Sequence, residues 1–397
     1  MTMAANLFFA TPAQRTALAR ERFFERGERP LGLVSEPVLQ SWHRSLVAGH
    51  RPEATPAFDP VTKSQLRATL DRHHALLQAA APEIDQLDNM LSGTACKTVL
   101  TDRHGIVVRA SPATSPGGRG ILDTAGRVGV NLGEDNLGCT APGITAASGA
   151  LVTVYGGEHF YGALHEVHCA SAPIRDGSGH LLGVLDVSTE GQGFAFDALS
   201  LVRLAAVGIE NRLFTRQARG HVLLRFQASP QLLGTPLEGL AAVDERGRVA
   251  WVNPAGLALL TRPAEGHAGD ELEALFGMTL TALLAHTRDS SAAAHRLPSG
   301  LQIHLRASLG EASAPSPAPT PTLTGAAAVQ AALLAEASLR SLSQQAIDAA
   351  LIRSRGNISA AARMLGVSRG LLYRRLKDRA AARASRPGGR EDLTTAA

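Results

Sequence analysis

Between Glu158 and Asp186 the chain gathers its most reactive side chains: Glu158, His159, His165, His168, Cys169 and Asp186. Imidazole and thiolate together could ligate a transition metal. His165-Glu166-Val167-His168 falls one residue short of the H-E-x-x-H zinc helix, whose i,i+4 spacing puts both rings on one face. On a strand, i and i+3 point to opposite faces, so that pair could not share an ion. No metal and no cofactor are therefore expected. A Cys169–His nucleophile would need an orienting third group and an oxyanion hole, and no spacing specifies either. Glu158 and Asp186 stand singly, so no catalytic residue is assigned. The bland alternatives are satisfied histidines and a buried, inert thiol. The functional alternative is enclosure of a small metabolite between sheet, helices and the 156–169 loop.

A second concentration of chemistry lies at the other end. The segment from Arg340 to Ala397 holds 12 Arg plus Lys against 4 Asp plus Glu, a surplus of +8. The whole chain is +4, which leaves −4 for residues 1–339. A mildly acidic body with a strongly basic end is the asymmetry of a protein that meets an anionic polymer through one end. Aromatic residues make up only 4%, sparse for stacking single-stranded nucleic acid.

These residues need elements to position them. At 397 residues with 45% hydrophobic and 19% charged, the chain should fold into two or three domains. Prolines at 315, 317, 319 and 321 mark 311–328 as a semi-rigid linker. Upstream, TVLTD, LVTVY and LLGVLDVS within 98–190 read as short strands, followed by a helical pattern over Phe196–Leu213. Between 222 and 309, GLAAVDERGRVAWVN reads as strand–turn–strand, with a short helix from Pro254 and a closing LQIHLRA strand. The first 80 residues read as helical, broken by proline over 51–60. Past the linker, three amphipathic stretches lie within 343–379, split by Gly356-Asn357 and Gly366-Val367-Ser368. The third presents Arg369, Tyr373, Arg374, Arg375 and Lys377 outward, where early residues would meet base edges and later cations phosphates.

GNISAAARMLGVSRGLLYRRLKDR resembles the Fis-type helix-turn-helix at the C-terminus of bacterial enhancer-binding activators. The resemblance implies that Ser368 and Arg369 open the recognition helix. Residues 129–188 are similar to the GAF domain of the acetoin/glycerol-catabolism type of activator, through Glu134, Gly138, Glu158-His159-Phe160, Cys169, Pro173-Ile174 and Asp186. The chain departs with Cys139-Thr140 where Thr-Asn is usual, and it lacks the tryptophan common before the glutamate. SWHRSLVAGH (Ser41–His50) resembles the S-W-x-R-S opening of that family, and 222–309 resembles a shortened PAS domain. Candidate ligand contacts are then Asn136, Thr140, Glu158, His159, Phe160, His168 and Cys169.

The implied fold class is multidomain α+β: an N-terminal helical region (1–79), a GAF-like α+β sensor (80–220), a PAS-like α+β module (221–310), the linker, an all-α helix-turn-helix domain (329–383) and a tail (384–397). Such activators carry an ATPase, whose phosphate loop needs G-x-x-x-x-G-K-[ST]. The three lysines follow Thr62, Cys96 and Leu376, so this sequence holds no such loop. Three cysteines without a C-x-x-C pair exclude a disulfide scaffold and point to a reduced cytoplasm. No long apolar run or secretion signal is present, so no membrane partner is expected. The reading is a cytoplasmic, homodimeric transcription regulator, not an enzyme, that binds double-stranded DNA and a small-molecule effector and works with RNA polymerase. Its rivals are a nucleotide- or redox-responsive enzyme on a GAF fold with an incidental basic tail, and a protein-interaction adaptor.

Overall fold

The computed structural model describes residues 11–112, 120–261, 269–287 and 291–310. The linker, the helix-turn-helix segment and the tail fall outside the described residues.

The region before residue 91 is helical, as its pattern predicts: α1 (Pro12–Arg20), a π-helical turn at Glu21–Glu25, α2 (Glu36–Val47), α3 (Lys63–Arg72) and α4 (His74–Met90). Helices α1 and α3 begin with capping boxes. Thr11 Oγ1 accepts from the Gln14 amide at 3.2 Å, and Gln14 Oε1 from the Thr11 amide at 2.9 Å. Thr62 and Gln65 repeat the arrangement.

A five-stranded antiparallel sheet follows, with β1 (Cys96–Asp102), β2 (Val107–Ala110), β3 (Val152–Tyr155), β4 (Val167–Arg175) and β5 (Leu181–Glu190) in the order β2-β1-β5-β4-β3. Short helices α5 (Ile121–Ala125), α6 (Glu134–Leu137) and α7 (Ala141–Ser148) lie between β2 and β3, and α8 (Ala198–Gln217) follows β5. The stretch expected as the end of a loop, His168-Cys169, lies inside β4. Its alternation runs through Ala170, Ser171 and Ala172, side chains too small to produce the β-branched signal by which strands are read.

The period of two divides the sheet into unlike faces. Leu100, Ala170, Ala172, Ile174, Leu185 and Val187 pack with Leu76, Ile84 and Leu87 of α4 and Val202, Ile209 and Leu213 of α8 in one apolar core. The intervening residues, Lys97, Val99, Cys169, Ser171, Asp186 and Ser188, project to the opposite face. Helices α1 and α2 cover that side: Ala19, Val38, Leu39 and Trp42 share a core with Ile144, Val154, Phe160, Leu164 and Cys169.

The second sheet contains β6 (Val222–Gln227), β7 (Gly239–Val243), β8 (Val249–Val252), β9 (Ala293–Arg296) and β10 (Gln302–Leu309) in the order β8-β7-β6-β10-β9, antiparallel throughout. Helices α9 (Pro254–Leu259), α10 (Leu272–Phe276) and α11 (Leu280–His286) build its core with Phe226, Ala241, Val243, Ile303 and Leu305. The expected turn between β7 and β8 is present, with Asp244 Oδ1 accepting from the amides of Arg246 (2.9 Å) and Arg248 (2.8 Å). No helix of the described residues is long and apolar enough to cross a membrane.

Helix α8 joins the two sheets through a buried amide. Asn253 Nδ2 donates to Asn211 Oδ1 and to Glu238 O, both at 2.9 Å, while its Oδ1 accepts from the Leu240 and Gly256 amides at 2.8 Å. Asn211 Nδ2 in turn donates to Pro236 O at 3.0 Å, and Phe214 packs on Trp251 with ring centroids 5.0 Å apart. Each buried partner left unpaired costs roughly 1–3 kcal/mol. Asn253→Ala should therefore destabilise the second module by at least about 2 kcal/mol in urea titration; an unchanged midpoint would show that the junction contributes nothing.

Candidate functional site

The inner face of the first sheet is a floor of two cross-strand rows. Antiparallel register sets Lys97 opposite Ser188 and Ser188 opposite Cys169; the next row is Val99, Asp186 and Ser171. Neighbours in such rows have Cβ atoms about 4.5–5.5 Å apart, close enough for side chains to bond. The roof comes from Ile121, Leu122 and Ala125 of α5, from Leu132, Leu137, Thr140 and Pro142 around α6 and α7, and from His159 and Leu164, while Val167 of β4 extends the floor. Floor and roof enclose a cavity of about 40 Å³. That is room for a few waters or a ligand of a few heavy atoms, far below a drug-sized pocket.

The floor is polar and buried. Ser171 Oγ and Ser188 Oγ each donate to Asp186, to Oδ1 and Oδ2, at 2.5 Å. Burial, opposed by those two hydroxyls, raises the Asp186 carboxyl to about 7. Lys97 Nζ donates to Ser111 O and Pro112 O at 3.1 Å and to Asp123 Oδ1 at 3.2 Å. Gly126 makes room for it: a Cβ there would lie 2.6 Å from Lys97 Cε. His159 Nδ1 lies 3.0 Å from Gly156 O, which can only accept, so Nδ1 carries the proton and Nε2 faces Cys169 Sγ at 3.4 Å with its lone pair. Burial lowers His159 to about 4 and, with Asp186 nearby, pushes Cys169 well above the usual thiol range. The pair is therefore neutral imidazole and thiol, not an ion pair.

Helix α1 and helix α2 hold the loop that supplies His159. The Arg20 guanidinium donates to the carbonyls of Gly157 (3.0 Å), His159 (2.8 Å) and Phe160 (3.2 Å), and Trp42 Nε1 donates to Glu158 O at 2.7 Å. Arg20 also lies over the rings of Phe24 and Trp42. Arg44 clasps Glu134 through two bonds of 2.6 and 2.8 Å, tying α2 to α6.

The structure divides the sequence-derived set. Thr140, His159 and Cys169 line the cavity together. Glu158 and His168 instead line an outer groove with Arg20, Glu21, Tyr155 and His165. Phe160 belongs to the apolar core beneath α2, and Asn136 spends its amide on Asn131 O at 2.8 Å. Among the described residues no group of three His, Cys, Asp or Glu is placed to hold a metal ion. Ser368, Arg369, Tyr373, Arg374, Arg375 and Lys377 lie outside the described residues. Sequence reading missed Lys97 and Ser188 and left Asp186 without a role. The available signal was the alternation in LLGVLDVS, which puts Asp186 and Ser188 on one face.

Two measurements follow from this geometry. The folded state keeps a proton on Asp186 that the unfolded chain releases near pH 3.8, so the stability it contributes is complete at acid pH and is lost as pH rises through about 7. Asp186→Asn should remove the fall in stability that this carboxyl produces between about pH 4 and 7, leaving the opposing rise from His159, whose lowered value acts over the same range. An unchanged slope would place that proton elsewhere. Arg20→Ala should speed hydrogen exchange of the His159 amide, with Arg20→Lys restoring little of the protection because an ammonium lacks the planar fork. Equal exchange in all three proteins would remove Arg20 from this role.

Residues 10–213 match the family described as MimR, N-terminal domain, and residues 338–378 match the one described as bacterial regulatory protein, Fis family. The chain is 27% identical over 264 residues to the acetoin catabolism regulatory protein of Cupriavidus necator, covering 62% of this chain and 39% of that protein. It is 30% identical over 209 residues to the propane 2-monooxygenase operon transcriptional activator MimR of Mycolicibacterium smegmatis, covering 52% and 34%. The chain thus spans little more than a third of the length of these curated relatives. Among solved structures, a chain of the E. coli DhaR(N)–DhaL complex aligns over 69% of this chain and 99% of that one, at 15% identity and a TM-score of 0.43, too low to carry a fold assignment. With just over half of its residues inside the first match and a Fis-family segment after them, the chain belongs to the MimR N-terminal domain family.

Proposed function

We propose that this chain is a DNA-binding transcription regulator whose first sheet and N-terminal helices form a GAF-type sensor for a small molecule, and whose C-terminal segment reads operator DNA. One observation carries the reading. A small cavity with a polar floor sits in the same chain as a Fis-family segment at 338–378, within the basic end that begins near Arg340. The relatives named above are described as regulators of catabolic operons, which supports an organic effector. The second sheet acts as a PAS-like spacer, and the chain hydrolyses no ATP. A homodimer would present two recognition helices about one DNA turn apart to RNA polymerase promoters. Cys169 and Asp186 contact the effector, in a cavity shaped by Thr140, His159 and Lys97; Ser368, Arg369, Tyr373, Arg374, Arg375 and Lys377 contact DNA.

The test is binding of the full chain to duplex DNA from upstream of its own coding region, across a range of salt. Arg369→Ala should weaken specific binding by roughly 1–3 kcal/mol and spare non-specific binding. Lys377→Ala should weaken both and lower the salt slope by about one. Equal affinity for operator and competitor DNA in the parent chain would sink the proposal.

A further inference from the structure

Most polar groups lining the cavity are already committed. The three ammonium hydrogens of Lys97 have three acceptors. Thr140 Oγ1 donates to Leu132 O at 2.8 Å and accepts from the Gly143 amide at 3.0 Å. His159 is held at both nitrogens, by Gly156 O and by the thiol. Two groups keep some capacity toward the space: the sulfur of Cys169, which lies 3.1 Å from Ser188 Oγ and retains a second lone pair, and the Asp186 carboxyl, whose oxygens each accept one serine hydroxyl. Cys169 is also the one cysteine among the three that lines the cavity, and no cysteine is in a disulfide. A thiol, a neutral imidazole 3.4 Å from it and a carboxyl two residues from the flanking strand's pairing position converge on a space that holds a few heavy atoms.

Resting on the reading of this cavity as the effector site, we propose that it captures a short-chain aldehyde covalently and reversibly, as a thiohemiacetal on Cys169. The sulfur attacks the carbonyl carbon, and an S–C bond forms as the C=O π bond breaks. The thiol proton passes to His159 Nε2, the Asp186 carboxyl protonates the new alkoxide oxygen, and return of the His159 proton to the Asp186 carboxylate restores both groups. The sum is addition of S–H across C=O; nothing is oxidised or reduced, and no group leaves. The raised Asp186 carboxyl supports the step, since it keeps a proton near neutrality to place on the developing oxygen. An alcohol would use Asp186 alone and leave the thiol idle. A ketone would crowd a second carbon onto the tetrahedral centre within about 40 Å³.

The experiment uses the full chain with propanal labelled with ¹³C at the carbonyl carbon, followed by NMR, and thermal melts with propanal and with 1-propanol. The parent should show a new sp³ carbon resonance distinct from the aldehyde and its hydrate. Propanal should raise its melting temperature, and 1-propanol should not. Cys169→Ala should lose both signals. Cys169→Ser, which keeps the side-chain shape, serves in its place should the alanine variant fold poorly. No adduct in the parent, an adduct that persists without Cys169, or equal stabilisation by propanal and 1-propanol would overturn the covalent site. Those outcomes leave the sensor reading standing. That reading is tested separately by DNA affinity with and without propanal, in the parent and in Ala125→Val, which fills the roof. An adduct that forms without altering DNA affinity upholds the covalent site and overturns its role as effector site.

Discussion

A carboxyl group in the middle of a central strand, with 1% of its surface exposed, is the constraint around which the first domain is arranged. Burying an unpaired carboxylate costs several kcal/mol, so Asp186 must be hydrogen-bonded, protonated or both. It is both. Hydroxyls from β4 and from its own strand serve its two oxygens, and its pKa rises until neutral water no longer strips the proton completely. An apolar helix packed directly on that position would leave those groups without room or partners. Instead, α7 packs on the neighbouring positions of β4, with Ile144 against Cys169, and a small space bounded by α5 and by the residues around α6 and α7 remains above the floor.

The other face of the same sheet shows the opposite solution. There the alternate residues of β1, β4 and β5 are aliphatic, and α4 and α8 close on them without a polar intermediary. Helix α8 then has a second duty. Toward the sheet it presents Val202, Ile209 and Leu213, and toward the second module Asn211 and Phe214. Glu210 lies between these duties, accepting from the Arg175 amide at the end of β4, the strand that carries Cys169. A continuous set of contacts therefore runs from cavity floor to second module. Contiguity of this kind is a physical route for coupling, not a demonstration of it.

The N-terminal helices complete the site and do not merely precede it. The carbonyls of residues 157–160 face a half-buried region where water cannot serve them all, and Arg20 and Trp42 supply the donors. Because His159 rides on this loop, its ring position depends on a side chain 139 residues earlier in the chain.

The sequence by itself determined what depends on neighbours along the chain. The helical character of the first 80 residues, the β7–β8 turn around Glu245-Arg246-Gly247, and the helix-turn-helix resemblance in a compact run of glycine, alanine and arginine positions are all local patterns. It also identified Thr140, His159 and Cys169 as candidate contacts, because imidazole, thiol and hydroxyl groups are conspicuous by type alone. Strand β4 escaped notice, since small residues carry no periodic signal that local sequence can show. Only the tertiary structure decided which reactive groups share a cavity. Lys97 and Ser188 stand in one row although 91 positions separate them, while Glu158, next to His159, is turned to the outer groove. The reason is that antiparallel register, unlike helical periodicity, couples residues through pairing between distant strands, and a one-residue difference in that pairing moves a side chain to the other face.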